Sequence, residues 1–223
     1  MCRPSVCFSL TSAALNLAQN LGYHRYNTMT ADTEVERQDK ITIFWVLYQL
    51  DKNMALRLGR ASMIQDFDIS LPYPSPSDRV PHGMATLFAY WLDVSRVQGQ
   101  VNEKLFSPGA LSRSQDERFR SAAQLEADLT MAYAKRLQIQ NPLGPTEYLG
   151  CDASIRESYE KILLNSDHVM HYSVLALVQY SKPVIPGQPS PALDAARKAL
   201  DLFHDLTTLN TVNAYFWVSY CHW

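Results

Sequence analysis

Cysteine is scarce in this sequence, and the few that occur are not spaced like metal ligands. Cys2, Cys7, Cys151 and Cys221 form no C-x-x-C pair, the spacing that holds most structural zinc ions. The amino terminus lacks the positive, apolar and small-residue order of a secretory signal. Low cysteine content without such a signal favours a reducing, intracellular setting. We therefore predict neither disulfide bonds nor a zinc site in this chain.

Glycine, net charge and long apolar runs are limited too. Only eight glycines occur, and no segment alternates between polar and apolar residues over strand length, so no sheet is expected. The most apolar runs, 41–50 and 214–223, are about half as long as the roughly 20 residues that span a membrane, so no membrane partner is predicted. The net charge of −2 and the pI of about 6.3 give this chain no electrostatic reason to bind DNA by itself.

Helical periodicity runs through most of the chain and predicts an all-α fold. Apolar residues recur at the 3, 4 and 7 spacing of one helical face. We expect an irregular array of six to seven helices in one domain, near residues 4–21, 34–58, 84–105, 114–139, 153–180 and 190–206. A last helix is expected to begin near Val212 and to be cut off at Trp223, so the domain 1–223 is expected to be incomplete.

Several residues mark the ends of these helices. Gly22 is placed to close the first helix in a left-handed cap. Asp32 or Thr33 is expected to cap the second helix, and Ser190 the last complete one. Ser114 begins a capping-box pattern at the fourth helix.

The first and third helices also predict how the chain packs. Gly99 within the third helix costs up to about 1 kcal/mol relative to alanine, which a close helix crossing would explain. The first helix carries one apolar face that we expect to point into the core. This face consists of Val6, Leu10, Ala13, Ala14, Leu17 and Leu21.

The stretch 34–72 is the most specific part of the sequence. It begins as a periodic helix and continues through Arg57, Gly59 and Arg60 into an acidic and apolar strip, residues 66–69. Asp51 falls on the apolar face of the helix, where an unpaired buried charge costs several kcal/mol. We expect Asp51 to form a structural ion pair with Arg57 or Arg60.

The residues that follow this strip cannot all be helical. Prolines stand at positions 72, 74, 76 and 81, and proline lacks the N–H that a helix interior needs. We expect the strip 66–69 to pack on the core through its apolar side chains, and the Ser-Pro repeats after it to be mobile.

Within 34–72 the order of residues resembles the signature of the fungal-specific transcription factor domain, the middle homology region of fungal binuclear zinc-cluster regulators. The positions that carry this resemblance are Glu36, Arg37, Phe44, Trp45, Leu47, Tyr48, Leu50, Asp51, Leu56, Arg57, Leu58, Gly59, Arg60, Ile64, Asp66, Asp68, Ile69, Leu71 and Pro72. Residues 18–25 resemble the helix end that precedes the signature. The chain departs from the family pattern at Gln38, where a second arginine is usual, and at Ala61, where proline is usual.

The resemblance implies a regulatory, non-enzymatic domain that controls transcription by RNA polymerase II in the nucleus. It also implies that DNA is contacted by a separate zinc module, absent from this chain, which would hold the only expected cofactor. Transcriptional co-regulators, a small-molecule effector and a second copy of the chain are the partners that the family role leaves open.

Two other functions are compatible with the residues. An all-α enzyme would use a buried acid, for which Asp51 is the candidate, although no glycine-rich phosphate loop, G-x-S-x-G or H-E-x-x-H motif is present. The pairs His168 with His171 and Asp201 with His204 have i, i+3 spacing, but they lack the additional carboxylates of di-iron bundles, so no metal is predicted. The third possibility is a helical scaffold that binds other proteins.

Overall fold

The protein is all-helical in a computed structural model that describes residues 4–76, 82–140, 142–143, 153–183 and 187–209. Seven α-helices form within these residues, and no strand is found among them. They are α1 Pro4–Asn20, α2 Glu34–Arg57, α3 His82–Val101, α4 Pro108–Leu111, α5 Gln115–Gln138, α6 Ala153–Tyr180 and α7 Pro191–Leu209. The predicted fold class is confirmed, while the helix expected from Val212 lies outside the described residues. None of the helices in these ranges is long and apolar enough to cross a membrane.

Most helix ends follow the capping signals of the sequence. Gly22 has a φ of 78°, and the N–H of Tyr23 donates to the carbonyl of Ala18 at 2.8 Å, which closes α1 as predicted. Thr33 and Ser114 form reciprocal capping boxes at α2 and α5. These interactions satisfy backbone groups that the first turn of a helix leaves without partners.

The segment between the predicted helices near 84–105 and 114–139 is itself ordered. The dipeptide Ser107-Pro108 ends a π-helical turn, Asn102–Phe106, and begins the short helix α4. The N–H of Ser107 donates to the carbonyl of Asn102 at 2.8 Å. The Ser107 hydroxyl accepts a hydrogen bond from the N–H of Ala110 at 3.1 Å. Proline in the first turn does not disturb the helix, because that position needs no N–H.

Helix α3 separates two apolar clusters and is the centre of the fold. One cluster joins α3 to α5 and α6 through residues that include Val94, Leu125 and Val174. The other joins α3 to α1, α2 and the loops that follow them, through Leu92, Phe44 and Ile64. Helix α7 packs along α6, where Leu206 meets Ile162 and Val169. The stretch 34–72 thus borders the central helix directly.

The predicted core face of α1 is wrong. Four residues of that face, Val6, Leu10, Leu17 and Leu21, are between 50% and 67% exposed. The opposite face is buried instead, through Phe8, Thr11, Leu15 and Ala18. Helix α1 contains no charged side chain between residues 4 and 20. Its polar residues are uncharged, so the periodicity marked the solvent side only weakly, and two apolar faces competed for the core.

The close helix crossing predicted at Gly99 is confirmed. A Cβ atom placed on Gly99 would lie 2.7 Å from Cδ of Lys52, a residue of α2. Real Cβ contacts essentially never become so short. Glycine on α3 therefore leaves the room in which the side chain of Lys52 crosses from α2.

Candidate functional site

Phe44 and Trp45 anchor the stretch 34–72 in the core. Both side chains are fully or almost fully buried on α2. The indole N–H of Trp45 donates to the carbonyl of Pro72 at 2.8 Å. Its ring meets Phe44, Tyr48 and Tyr73 edge to face, with centroids 5.1–5.7 Å apart, a favourable aromatic geometry. Trp45 therefore ties the end of the stretch back to its first helix.

The carboxylate of Asp51 is fully buried and binds the backbone of the returning chain. It accepts hydrogen bonds from the hydroxyl of Ser62 at 2.5 Å and from the N–H of Met63 at 3.0 Å. The N–H of Ile64 donates to the same oxygen at 3.4 Å. Three donors from consecutive residues thus replace the water that the carboxylate loses on burial.

The expected ion pair of Asp51 with Arg57 or Arg60 is wrong. Among the described residues, no arginine forms an ion pair with this carboxylate. Six residues along α2 turn about 240° around its axis, so Arg57 lies on a different side of the helix from Asp51. Gly59 then takes a φ of 60°, and the chain reverses so that residues 62–64 cover Asp51. The reversal brings the N–H groups of Met63 and Ile64 to the Asp51 carboxylate, for which the sequence predicted an arginine partner.

Lys52 is the residue that the sequence reasoning missed. Although charged, it is only 5% exposed. Its ammonium group donates to the carbonyl of Ile64 at 2.8 Å and forms an ion pair with Asp66 at 2.9 Å. The same group lies 5.0 Å from the ring centre of Tyr48. In the sequence, Lys52 is marked only by being adjacent to Asp51. Neither helical periodicity nor a motif indicates that it is buried or that it meets Gly99.

The two adjacent charges hold one loop from both sides. Asp51 accepts from the N–H of Ile64, and Lys52 donates to the carbonyl of the same residue. We call the residues Tyr48, Asp51, Lys52, Ser62, Ile64 and Asp66 the signature cluster. Because Asp51 and Lys52 are both paired within it, neither carries the cost of an isolated buried charge.

Asp66 and Asp68 connect the signature cluster to its surroundings. Asp66 accepts a hydrogen bond from the Tyr48 hydroxyl at 3.0 Å and lies 3.9 Å from Nε of Arg96 on α3. Asp68 pairs with Arg25 at 2.6 Å. The hydrogen bond from Arg25 lowers the pKa of Asp68. The acidic strip is therefore fixed to α2, α3 and the loop after α1. The prediction that its apolar side chains pack on the core is confirmed for Ile69 but wrong for Phe67, which is 89% exposed, so polar contacts do most of the fastening.

Gly59, Arg60 and Arg57 shape the turn at the end of α2. The guanidinium carbon of Arg60 lies 5.5 Å from the ring centre of Phe8, and the carbonyl of Arg60 accepts from the side-chain amide of Asn102 at 3.0 Å. Asn102 begins the π-helical turn after α3. Arg57 is the last residue of α2 and is partly buried. The turn is thereby linked to α1 and to the end of α3.

Chemically, the signature cluster is built to hold a loop, because its groups are occupied and enclosed. Burial raises the pKa of Tyr48, and the negative charge of Asp66 raises it further, so the Tyr48 hydroxyl stays protonated as a donor. A general acid or base must reach the proton that it transfers. Asp51 is fully buried and holds three donors. This geometry argues against Asp51 as a catalytic acid.

A second buried polar group lies between α3, α5 and α6. Asp167 forms an ion pair with Arg136 at 2.5 Å and accepts from the indole N–H of Trp91 at 2.7 Å. Burial raises the pKa of Asp167 to about 6, against the lowering effect of Arg136. His171 stacks on Tyr133 with ring centres 3.9 Å apart. Burial lowers the pKa of His171 to about 4.

The histidines form packing contacts in this region. His168 also meets Tyr133, edge to face, with ring centres 5.6 Å apart. Within the described part of the chain, no group of three or more His, Cys, Asp or Glu side chains could hold a metal ion. The large aromatic side chains around α3 differ in burial: Phe44, Trp45, Tyr48 and Tyr90 are buried, whereas Trp91 and Tyr133 are partly exposed.

A shallow groove of about 270 Å³ runs between α3 and α5. Its lining combines Asp93, Arg96 and Gln100 of α3 with Asp128 and Lys135 of α5 over an apolar floor. Arg96 belongs to both the groove and the surroundings of Asp66. The groove is therefore in direct contact with the signature cluster.

The part of the chain that matches a known protein family contains the signature cluster. Residues 1–81 match the sequence profile of the family described as the Fungal specific transcription factor domain. That range contains all of α1, α2 and the signature cluster. The match covers the part of the chain in which Asp51 and Lys52 hold the returning loop.

Similar curated proteins are fungal regulators. An ABC-transporter-regulating transcription factor of Aspergillus oryzae is 27% identical over 135 residues, which are 56% of this chain and 15% of that protein. The protein of the same description from Aspergillus fumigatus has the same identity and coverage. A putative transcriptional regulatory protein of Saccharomyces cerevisiae is 23% identical, over 96% of this chain and 32% of its own length. The matched region is thus a minor part of each relative, and no solved structure matches the chain significantly.

Proposed function

We propose that this chain belongs to the fungal specific transcription factor domain family, whose profile residues 1–81 match, and that it is the regulatory region of a fungal zinc-cluster transcription factor. The family is one of transcription factors and not of enzymes. In this proposal the chain acts in the nucleus and modulates transcription by RNA polymerase II. The family match is the observation that carries the proposal, and the similarity to fungal regulators supports it.

The proposal assigns DNA contact and zinc to a separate module of the full-length protein. The net charge of −2 supports this division, because DNA binding draws on clustered Lys and Arg side chains. The described residues offer no metal cluster either. We treat 1–223 as a single regulatory domain whose signature region is 34–72.

Regulation requires two states that a partner can distinguish. A ligand or co-regulator shifts such an equilibrium only by the difference between its affinities for the two states. The groove between α3 and α5 is a suitable place for a small polar effector, because its residue Arg96 also approaches Asp66 at 3.9 Å. An effector that recruits Arg96 would act on the signature cluster without entering it.

A fusion experiment tests the regulatory role. Residues 1–223 are joined to an unrelated DNA-binding module, and expression of a reporter gene with that module's site is measured in a fungal host. We expect reporter expression to differ from that of the module alone, and the difference to disappear in Trp45→Ala, which removes the indole bond to Pro72. Arg197→Ala, at a 66% exposed side chain that does not line the groove, serves as the surface control. Equal expression with and without the chain would refute the proposal.

A titration tests whether this chain binds DNA by itself. The purified chain is titrated against fungal promoter DNA at physiological salt, and no site-selective complex is expected. A nanomolar, sequence-selective complex would overturn the assignment of DNA contact to another module. Self-association into a homodimer stays a prediction, which sedimentation of the same preparation measures.

A further inference from the structure

The chain contains three Ser-Pro dipeptides, and one of the three serines is more exposed than the other two. They begin at Ser75, Ser107 and Ser190. Ser107 and Ser190 are partly buried, whereas Ser75 is exposed. Since Ser-Pro is the minimal sequence that a proline-directed protein kinase modifies, this difference in setting decides which hydroxyl is accessible.

Ser75 lies in an extended segment that its prolines enforce. Residues 71–76 alternate as Leu-Pro-Tyr-Pro-Ser-Pro and contain no helix or turn. A residue that precedes proline is restricted to extended backbone, because the proline ring clashes with the helical conformation. Ser75 precedes Pro76 and follows Pro74, whose own φ is fixed. The serine is therefore held in the extended form in which kinases bind their substrates.

The chain immediately before Ser75 is fastened to the core. Trp45 binds the carbonyl of Pro72 at 2.8 Å, and the Tyr73 hydroxyl donates to Asp93 at 3.0 Å. The guanidinium carbon of Arg96 lies 5.7 Å from the ring centre of Tyr73. These contacts end two residues before the serine. Within the described residues, the Ser75 hydroxyl has no hydrogen-bond partner.

The other two serines use their hydroxyls to cap helices. The hydroxyl of Ser107 accepts from the N–H of Ala110 at 3.1 Å and donates to the carbonyl of Glu103 at 2.8 Å. The hydroxyl of Ser190 accepts from the N–H of Leu193 at 3.4 Å. In both cases the proline that follows is the first residue of a helix. A kinase would have to open the helix end before it could bind either serine in extended form.

We propose that Ser75 is a phosphorylation site for a proline-directed serine/threonine kinase. Its hydroxyl oxygen attacks the γ-phosphorus of ATP, the bond from that phosphorus to the bridging oxygen breaks, and ADP leaves. The hydroxyl proton passes to the base of the kinase. The resulting phosphoserine carries about −1.5 to −2 additional charge. It lies two residues after Tyr73 in the sequence, and the guanidinium of Arg96 packs over the Tyr73 ring. This assignment does not depend on the proposed function, because it is measured on the purified chain without any transcription.

The test compares the folded chain with its own peptides. The chain 1–223 and three peptides covering 70–80, 102–112 and 185–195 are incubated with a proline-directed kinase and Mg-ATP, and tandem mass spectrometry follows each site with time. We expect Ser75 to be modified at similar rates in the chain and in its peptide. Ser107 and Ser190 should be modified about five- to tenfold more slowly in the chain than in their peptides, because a cap must first be lost.

Two variants and one control locate the phosphate. Ser75→Ala should remove the fast phosphorylation, and Pro76→Ala should remove it while the serine remains. Ser107→Ala should leave the rate of Ser75 phosphorylation unchanged. The circular dichroism and the unfolding midpoint of Ser75→Ala should equal those of the parent chain, because the exposed hydroxyl forms no hydrogen bond with any residue that the structure describes. The proposal is overturned if the 70–80 peptide is not a substrate, if Ser75 is slowed in the chain as much as the capping serines, or if those serines react as fast as Ser75.

Discussion

Replacing Asp51 by alanine tests the signature cluster most directly. The substitution removes the acceptor of two backbone N–H groups, those of Met63 and Ile64. A buried donor that loses its partner costs about 1–3 kcal/mol. The hydroxyl of Ser62 keeps an alternative acceptor, the carbonyl of Ile64 at 3.0 Å, so it adds little. We expect the free energy of unfolding to fall by about 3–4 kcal/mol, a large part of the roughly 5–15 kcal/mol that stabilises a typical domain.

The assay is urea unfolding, followed by circular dichroism of the helices and by tryptophan fluorescence. Arg60→Met is the matched control, because an arginine partner was the competing explanation. Its guanidinium lies over Phe8 at the surface, so we expect a loss below about 1 kcal/mol. Asp51→Asn should lose clearly less than Asp51→Ala, because its side-chain carbonyl oxygen can take the place of Oδ2, which accepts from Ser62, Met63 and Ile64. A loss below about 1 kcal/mol in Asp51→Ala, or a larger loss in Arg60→Met, would refute the reasoning.

Three further substitutions test single contacts of the fold. Gly99→Ala should lower the free energy of unfolding by about 1–2 kcal/mol despite the better helix propensity of alanine, because the new Cβ meets the side chain of Lys52, held at its ammonium end; an increase in stability in urea unfolding would contradict the close crossing. Gly59→Ala should cost about 1 kcal/mol by the same measurement, since alanine is strained at a φ of 60°; no loss would show that the turn relaxes. His171 has a pKa lowered to about 4, below its unfolded value of about 6.5, so the stability that neutral His171 contributes is present above about pH 6.5 and is lost as pH falls towards 4. His171→Phe retains an aromatic ring against Tyr133, and between pH 7 and pH 5 the parent should lose about 2 kcal/mol relative to this variant; parallel pH profiles would contradict the burial of a neutral imidazole.

The sequence by itself determined the helices and most of their ends. Thr33 and Ser114 each stand three residues before a glutamate, and Gly22 follows the last turn of α1. These signals are local, because a cap satisfies backbone groups of its own helix. Even Gly99 was informative, since a glycine inside a helix indicates that something approaches it closely. The identity of the approaching residue, Lys52, was not in that signal.

The tertiary structure decided which faces and which charges became buried. Helix α1 is apolar on two sides, and only its packing against α2 selected Phe8 and Leu15 over Leu10 and Leu17. Asp51 was recognised as a buried charge, but its donors come from 62–64, which reach it only after the chain reverses at Gly59. Lys52 depends in the same way on Ile64 and Asp66. Local sequence fixes where a helix begins and ends, whereas the partner of a buried charge depends on which distant backbone the fold returns to it.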